Sequence, residues 1–286
     1  MSDDFLDQMA ESSRERVLAA LSERPSNELL AAARETPEPP PLTLDAGGFD
    51  LIAEVKLRSP AVGKLKSGDE DVSARVAGYA SAGAAAISVL TEPTRFDGSM
   101  DHLRSAVNAL RPHGVPAMRK DFLVDPYQVI EARLAGAGGV LVILRMLPRA
   151  ALEALIEQAL ALKLFVLLEA FHERDIEVAH SLAVRYGGRA PNPSHVEVLV
   201  GVNCRDLVTL KVVPGRLEAL VGRLPANVPR VAESGVGSPE DAQRMAAAGY
   251  DLALVGSALM KAGDPHQLVR GMLAAGRSAR VRSLCG

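Results

Sequence analysis

A chain of 286 residues is long enough for one large α/β domain, and its charge balance argues against a nucleic-acid-binding face: 32 Lys and Arg stand against 35 Asp and Glu, for a net charge of −3. The hydrophobic fraction is 48% but the aromatic fraction only 3%, with no Trp, so the core must be aliphatic, and no apolar run reaches the roughly 20 residues a membrane helix needs. Cys204 and Cys285 cannot make a disulfide framework, and neither they nor the scattered His have metal-ligand spacing, so no metal is expected.

The first residues, Met1 to Asp7, are acidic where a secretory signal would be basic, which points to a cytoplasmic protein. Phe5, Met9, Val17, Leu18 and Leu21 have helical spacing and predict one amphipathic helix before Pro25. Thr36-Pro37-Glu38-Pro39-Pro40-Pro41 then forms a stiff connector that neither a helix nor a central strand can cross. Residues 1–46 are therefore expected as an N-terminal helical extension and 47–286 as the main domain.

From Leu51 onward a short apolar run, a turn and an Ala/Leu-rich amphipathic segment recur. The expected strands are Leu51–Val55, Ala86–Leu90, Val115–Met118, Val140–Ile143, Phe165–Leu168, Val196–Val202, Arg230–Ala232 and Leu252–Val255. Helical patterns fall between them, among them Val72–Ala82, Tyr127–Ala135, Arg149–Ala161, Arg174–Tyr186, Glu240–Ala248 and His266–Ala275. Such alternation predicts a (β/α)8 TIM barrel. A doubly wound open sheet is the alternative, although no G-x-G-x-x-G turn follows the first strand. The stretch from Gly187 to His195 is expected as an exposed insertion at the end of the barrel away from the chemistry.

Polar residues recur where these apolar runs stop. Glu54 and Lys56 end the first, Lys120 the third, Glu169 the fifth, Asn203 the sixth and Glu233 the seventh. In a barrel these ends converge on one mouth, and together they would form a pocket suited to general acid–base work. Glu54 and Lys56, two positions apart, share a face, which suits either a structural ion pair or catalysis. Lys120 lies inside Arg119-Lys120-Asp121, which by itself is either a charged turn or the rim of a site. Ser234-Gly235 and Gly256-Ser257 follow the last two strands, where small residues let backbone N–H groups approach a phosphate, or simply make turns. Phe96 and Phe122 fall in loops, either to meet a planar substrate or to anchor those loops. Cys204 should point away from Asn203 into the core, and His172 should sit in the loop before a helix.

These residues occur in motifs that resemble the indole-3-glycerol-phosphate synthase family. They include Ile52-Ala53-Glu54-Val55-Lys56 with Ser59-Pro60, Phe96-Asp97-Gly98-Ser99, Arg119-Lys120-Asp121-Phe122, and Asp125 with Tyr127-Gln128. Leu168-Glu169, Gly201-Val202-Asn203-Cys204-Arg205-Asp206-Leu207, Val231-Ala232-Glu233-Ser234-Gly235 and Val255-Gly256-Ser257-Ala258 follow in family order. The resemblance implies a cofactor-free carboxy-lyase. Its reaction would be the decarboxylation and dehydration of 1-(2-carboxyphenylamino)-1-deoxyribulose 5-phosphate to indole-3-glycerol phosphate in tryptophan biosynthesis. It implies Lys120 as general acid, Glu169 and Glu54 as base and electrostatic partner, and Lys56 as substrate-holding group and second acid. Asn203 and Glu233 would orient, and Ser59, Ser234, Gly235, Gly256 and Ser257 would bind phosphate. Phe96, Phe122 and Arg205 join the binding set. A phosphorylated small molecule is the implied partner, with transient contact to other tryptophan-pathway enzymes admitted.

Leu57, Ala61, Phe171 and Cys204 depart from the residues common at those places in the family, which leaves room for a specialised enzyme acting on a modified anthranilate. Phosphoribosylanthranilate isomerase is the nearest rival reading, but it needs a cysteine where this chain has Glu54 and Lys56. A catalytically silent phosphate-binding barrel is the reading from another class, and the retained acids and bases argue against it.

Overall fold

The structure is a computed structural model that describes residues 4–46, 48–60, 63–65, 71–188, 195–206 and 209–284. Cys285, Ala61 and most of the expected 187–195 insertion lie outside the described residues. Eight parallel strands close into a barrel: β1 (Asp50–Val55), β2 (Ala86–Leu90), β3 (Ala117–Lys120), β4 (Gly139–Ile143), β5 (Phe165–Ala170), β6 (Val198–Asn203), β7 (Arg230–Glu233) and β8 (Leu252–Val255). Each pairs with its sequence neighbours, and β1 closes the ring on β8 through Ile52↔Leu254. The open-sheet alternative is thereby excluded.

β3 is shifted relative to the expected Val115–Met118. Pro116 cannot donate to a ladder, and the strand instead runs to Lys120. A helix Met100–Leu110 fills the segment between β2 and β3.

Alternation along the strands sorts side chains into two clusters. Ile52, Met118, Leu141, Phe165, Leu167, Leu199, Val231 and Leu254 fill the barrel interior. Ala53, Ile87, Ala117, Val140, Val166 and Ala232 face outward and join the helices in the larger cluster. Leu42, from the connector, is buried with the interior set, and Val196 donates its N–H to Leu42 O at 2.9 Å. Gly139 supplies space inside: a Cβ there would lie 2.4 Å from the Phe165 ring.

Two helices precede the barrel, α1 (Asp4–Glu23) and α2 (Ser26–Glu35). The second was not expected. Pro25 occupies the N-cap position of α2, where its missing N–H costs nothing, so it starts a helix as well as following one. The buried face of α1 is Leu6, Met9, Ala10, Ser13 and Val17, while Leu18 is 68% exposed and does not belong to it.

What fastens α1 is polar. Arg16 reaches Asp121 with both guanidinium nitrogens, at 2.9 and 2.8 Å. Asp121 also takes Arg119 at 3.1 Å and the Thr91 hydroxyl at 2.7 Å. Ser13 donates to Phe122 O at 2.5 Å and accepts from Gln128 Nε2 at 2.8 Å, and the Tyr127 hydroxyl meets Ala20 O and Arg24 O. Asp125 caps the helix Pro126–Leu134 in a box with Gln128. The Arg119, Asp121, Tyr127 and Gln128 motif residues thus form the seat of α1, and Asp125 caps the helix that carries two of them.

Burial would raise the Asp121 pKa, but the Arg119 and Arg16 guanidinium groups and the Thr91 hydroxyl hold it far below the usual carboxylate range. Asp121→Asn leaves Arg119 buried and Arg16 partly buried without their shared counter-ion. It should lower the unfolding free energy by about 3–5 kcal/mol in urea titration, and a loss under about 1 kcal/mol would show that the cluster is not a structural clamp. Because the folded value is depressed, the contribution is full above the ordinary Asp pKa of about 3.9 and fades as pH falls toward the folded value. The variant's stability should therefore respond less to acid in that range.

Candidate active site

The strand ends meet at one mouth, around a cavity of about 1020 Å³ including its opening. Glu54, Lys56, Lys120, Glu169, Asn203 and Glu233 all line it, as do Ser59, Phe96, Phe122, Arg205, Ser234, Gly235, Gly256 and Ser257. Every candidate site residue of the sequence is therefore brought to one place.

Lys120 shares the inward parity of Met118, while Arg119 is turned outward into the α1 seat. The same alternation turns Glu169 inward with Leu167 and Phe165. The Lys120 ammonium lies 3.7 Å from Glu169 Oε1, and Asn203 Nδ2 donates to that same oxygen at 2.7 Å. Asn203 Oδ1 in turn accepts the Arg205 N–H at 2.9 Å, which fixes the amide so that its NH2 faces the carboxylate. Burial works against the charge on Lys120, yet Glu169, Glu233 and Glu54 outweigh it and hold the Lys120 pKa above the ordinary lysine range.

Glu54 is 2% exposed and accepts from Lys56 Nζ at 2.5 Å, so the pair expected on one face is a direct ion pair within the pocket. Gly256 makes room for it, since a Cβ there would meet Glu54 Oε1 at 2.3 Å and Lys56 Nζ at 3.0 Å. Glu233 is 1% exposed and occupies a niche beside Gly201, whose hypothetical Cβ would lie 2.1 Å from Glu233 Oε1. Neither Glu233 oxygen has a hydrogen-bond partner among the described residues. Burial, with the neighbouring Glu169, pushes its pKa well above the usual carboxylate range.

After β7 the chain turns through two consecutive left-handed residues, Ser234 at φ 65° and Gly235 at φ 74°. A non-glycine residue in that region carries strain of the kind that gathers at ligand sites. Cys204 sits beneath this turn, its thiol directed to Ser234 O at 3.3 Å. Burial pushes the Cys204 thiol up to about 11, so it is a packing group and not a nucleophile. Gly256 then opens the short helix Ser257–Lys261, which presents its first turn beside the Ser234–Gly235 turn at the pocket.

The apolar wall differs in part from the expectation. Phe122 is buried and Phe96 ends a one-turn helix, Pro93–Phe96, whose N–H groups are capped by Glu92. Phe96 and Phe122 have ring centroids 6.1 Å apart, and Phe5 of α1 meets Phe122 edge-on at 5.9 Å. They are packed loop anchors that also line the cavity. Phe5 and Phe171 were missing from the expected site; Phe5 looked like one more apolar helix residue, and Phe171 shares the parity of Glu169. The Arg145 guanidinium lies 5.0 Å over the Phe171 ring and pairs with Asp175, which also accepts the Phe171 N–H at 2.8 Å. Leu57 is buried, and His172 stands at the N-cap position of the helix Glu173–Tyr186, its N–H donating to Asp175, outside the cavity lining.

The family model for indole-3-glycerol phosphate synthase matches residues 6–272. Proteins named indole-3-glycerol phosphate synthase from Mycobacterium leprae (strain Br4923) and Mycobacterium avium (strain 104) are 39% and 38% identical. The first alignment covers 87% of this chain and 86% of the relative, the second 95% and 94%. Among solved structures, 3-hexulose-6-phosphate synthase from Salmonella typhimurium shares the fold with a TM-score of 0.59 at 14% identity, over 80% of this chain and 99% of that one. Thiamine phosphate pyrophosphorylase from Pyrococcus furiosus does so with a TM-score of 0.56 at 16%, over 82% and 98%.

The niche holding Glu233 gives a direct test of this packing. Gly201→Ala forces the carboxylate to move and should destabilise the folded chain by about 1–3 kcal/mol in chemical denaturation, as overpacking does. An unchanged midpoint would show that the niche is loose.

Proposed function

We propose a division of labour among the pocket groups from one premise: the chain belongs to the indole-3-glycerol phosphate synthase family. It is a carboxy-lyase of tryptophan biosynthesis, converting 1-(2-carboxyphenylamino)-1-deoxyribulose 5-phosphate to indole-3-glycerol phosphate. The reaction joins the sugar carbonyl carbon to the ring carbon that carries the carboxylate. A proton must reach the carbonyl oxygen as that bond forms, CO2 then leaves, and loss of water completes the indole.

Lys120 supplies the proton to the developing alkoxide. What supports this role is its place 3.7 Å from Glu169 with Glu54 nearby, whose negative charges favour the ammonium form. Glu169 is the base of the dehydration, held in orientation by the 2.7 Å hydrogen bond from Asn203. Lys56, paired with Glu54, holds the substrate and serves as the second acid. Glu233 orients substrate hydroxyls and catalytic groups. The phosphate lies against Ser59, Ser234–Gly235 and Gly256–Ser257, where small side chains expose backbone N–H groups and the helix Ser257–Lys261 begins. The anthranilate ring packs on Phe96 and Phe122. The single observation that carries this reading is the convergence of Lys120, Glu169, Glu54, Lys56, Asn203 and Glu233, from different strands, on one cavity.

The decisive assay follows the fluorescence of the indole product when the purified protein meets its substrate without added metal or nucleotide. Lys120→Met should lower kcat by about 10²-fold or more with a smaller effect on KM, as expected when a general acid is lost. Near wild-type kcat in that folded variant would remove Lys120 from the role. Lys56→Met should raise KM as well.

Inorganic phosphate should inhibit competitively against the sugar phosphate. Ser257→Asp sets a like charge at its seat and should raise the inhibition constant about tenfold or more. Inhibition of equal strength in the variant would move the phosphate elsewhere.

A further inference from the structure

Apart from Asp121, which is paired with Arg16 and Arg119, and Arg205, which donates to Leu210 O, the cavity brings three carboxylates together with two ammonium groups, and their partners are unequally shared. Glu54 takes Lys56, and Glu169 takes Lys120 and Asn203. Glu233 takes neither, although it is as deeply buried as the other two. A buried ionised carboxylate needs donors; with none within reach, the cheaper state is the neutral acid. The surrounding elements offer no remedy. β8 contributes Leu254 and Gly256 follows it, β4 contributes Leu141 and Ile143, and the cavity lining from β2 is Leu90, none of which titrates. Asn203 of β6 does not titrate either, and it is engaged with Glu169 and the Arg205 N–H. The charged groups felt by Glu233 are Glu169, Lys120 and Glu54, two of them of its own sign.

We propose that Glu233 holds a proton in the resting enzyme and works as a neutral hydrogen-bond donor, a positioning residue that leaves Glu169 as the ionised carboxylate in contact with Lys120. Gly201 supplies the space for that acid against the wall, and the strand register Asn203↔Glu233 keeps it beside the pair formed by Asn203 and Glu169. With Glu233 neutral, two ammonium groups balance two carboxylates. The pocket then offers no net negative charge to a substrate that brings both a carboxylate and a phosphate. A neutral acid can also donate to a substrate hydroxyl, which an ionised one cannot. The inference refines the role given to Glu233 in the ring-closing reaction, but its primary test needs no turnover, so it fails or stands apart from the activity assay.

Infrared spectroscopy of the protein at neutral pH should show the C=O stretch of a protonated carboxylic acid, and Glu233→Gln should abolish it. In Glu169→Gln, which removes the neighbouring negative charge, the midpoint at which that band titrates away should move to lower pH. This second comparison decides the matter if Glu233→Gln does not fold. Folding stability gives an independent reading. A proton held only in the folded state means that stability is lost as pH rises from the ordinary Glu pKa of about 4.3. The urea midpoint of Glu233→Gln should therefore gain on that of the wild type between acid and neutral pH. A wild type without the band, a band that survives in Glu233→Gln, or a midpoint indifferent to Glu169→Gln would overturn the proposal.

Discussion

The placement of one buried carboxylate, Asp121, governs how the rest of the molecule is arranged. It follows Lys120, points the opposite way, and closes on Arg119 from its own strand end and Arg16 from α1. Two guanidinium groups and a threonine hydroxyl leave it no unmet demand, which is the condition under which a buried ion contributes order without a large penalty. The consequence reaches the pocket on both sides. Asp121 is fixed at the residue after Lys120, and the strand alternation that turns Arg119 outward turns Lys120 inward toward Glu169. With Arg16 fixed, α1 brings Phe5 into the cavity lining and against Phe122. The extension is therefore part of the cavity wall as well as a neighbour of the barrel.

This explains what the sequence could and could not disclose. Strand ends bearing a single polar residue were legible, because a two-residue period fixes which face each side chain takes once the strand is placed. Glu54 with Lys56, and Asn203 after an apolar run, needed nothing more. The triplet Arg119-Lys120-Asp121 was ambiguous for the same reason: adjacent charges cannot all face one way, and only the position of α1 shows that the outer two belong to its seat. Tyr127 and Gln128 carried the family resemblance yet serve that seat too, and Asp125 caps their helix. Phe5 could not be assigned from periodicity, since a helix residue facing a cavity and one facing a core look alike in one dimension. α2 was hidden by Pro25, a residue that ends one helix and opens another with equal ease.

Departures from the common family pattern have physical settings that need no change of chemistry. Cys204 packs under the Ser234–Gly235 turn as a small apolar group with a weak donor, and a Cβ at Gly235 would come within 3.0 Å of its sulfur. Leu57 is buried at the start of the first loop, where a charged group would need a partner. Phe171 closes the wall beside Glu169, and Arg145 covers its outer face while anchoring to Asp175. The wall at this point is an aromatic ring backed by a cation–π contact.

Glycine placement completes the electrostatics. Two of the buried acids, Glu54 and Glu233, are each matched by a glycine on a neighbouring strand or strand end, Gly256 and Gly201. Any side chain at either position would push the acid toward the cavity centre, closer to Lys120 and into the space that a substrate must occupy. Moving Glu54 there would strengthen its ionic hold on the lysine and weaken the lysine as a donor. By letting the acids recede, the glycines leave Lys120 bracketed and charged, with Glu169 as its nearest carboxylate contact at 3.7 Å. That separation is longer than a tight ion pair, so the ammonium can turn toward a developing alkoxide without first breaking a short salt bridge.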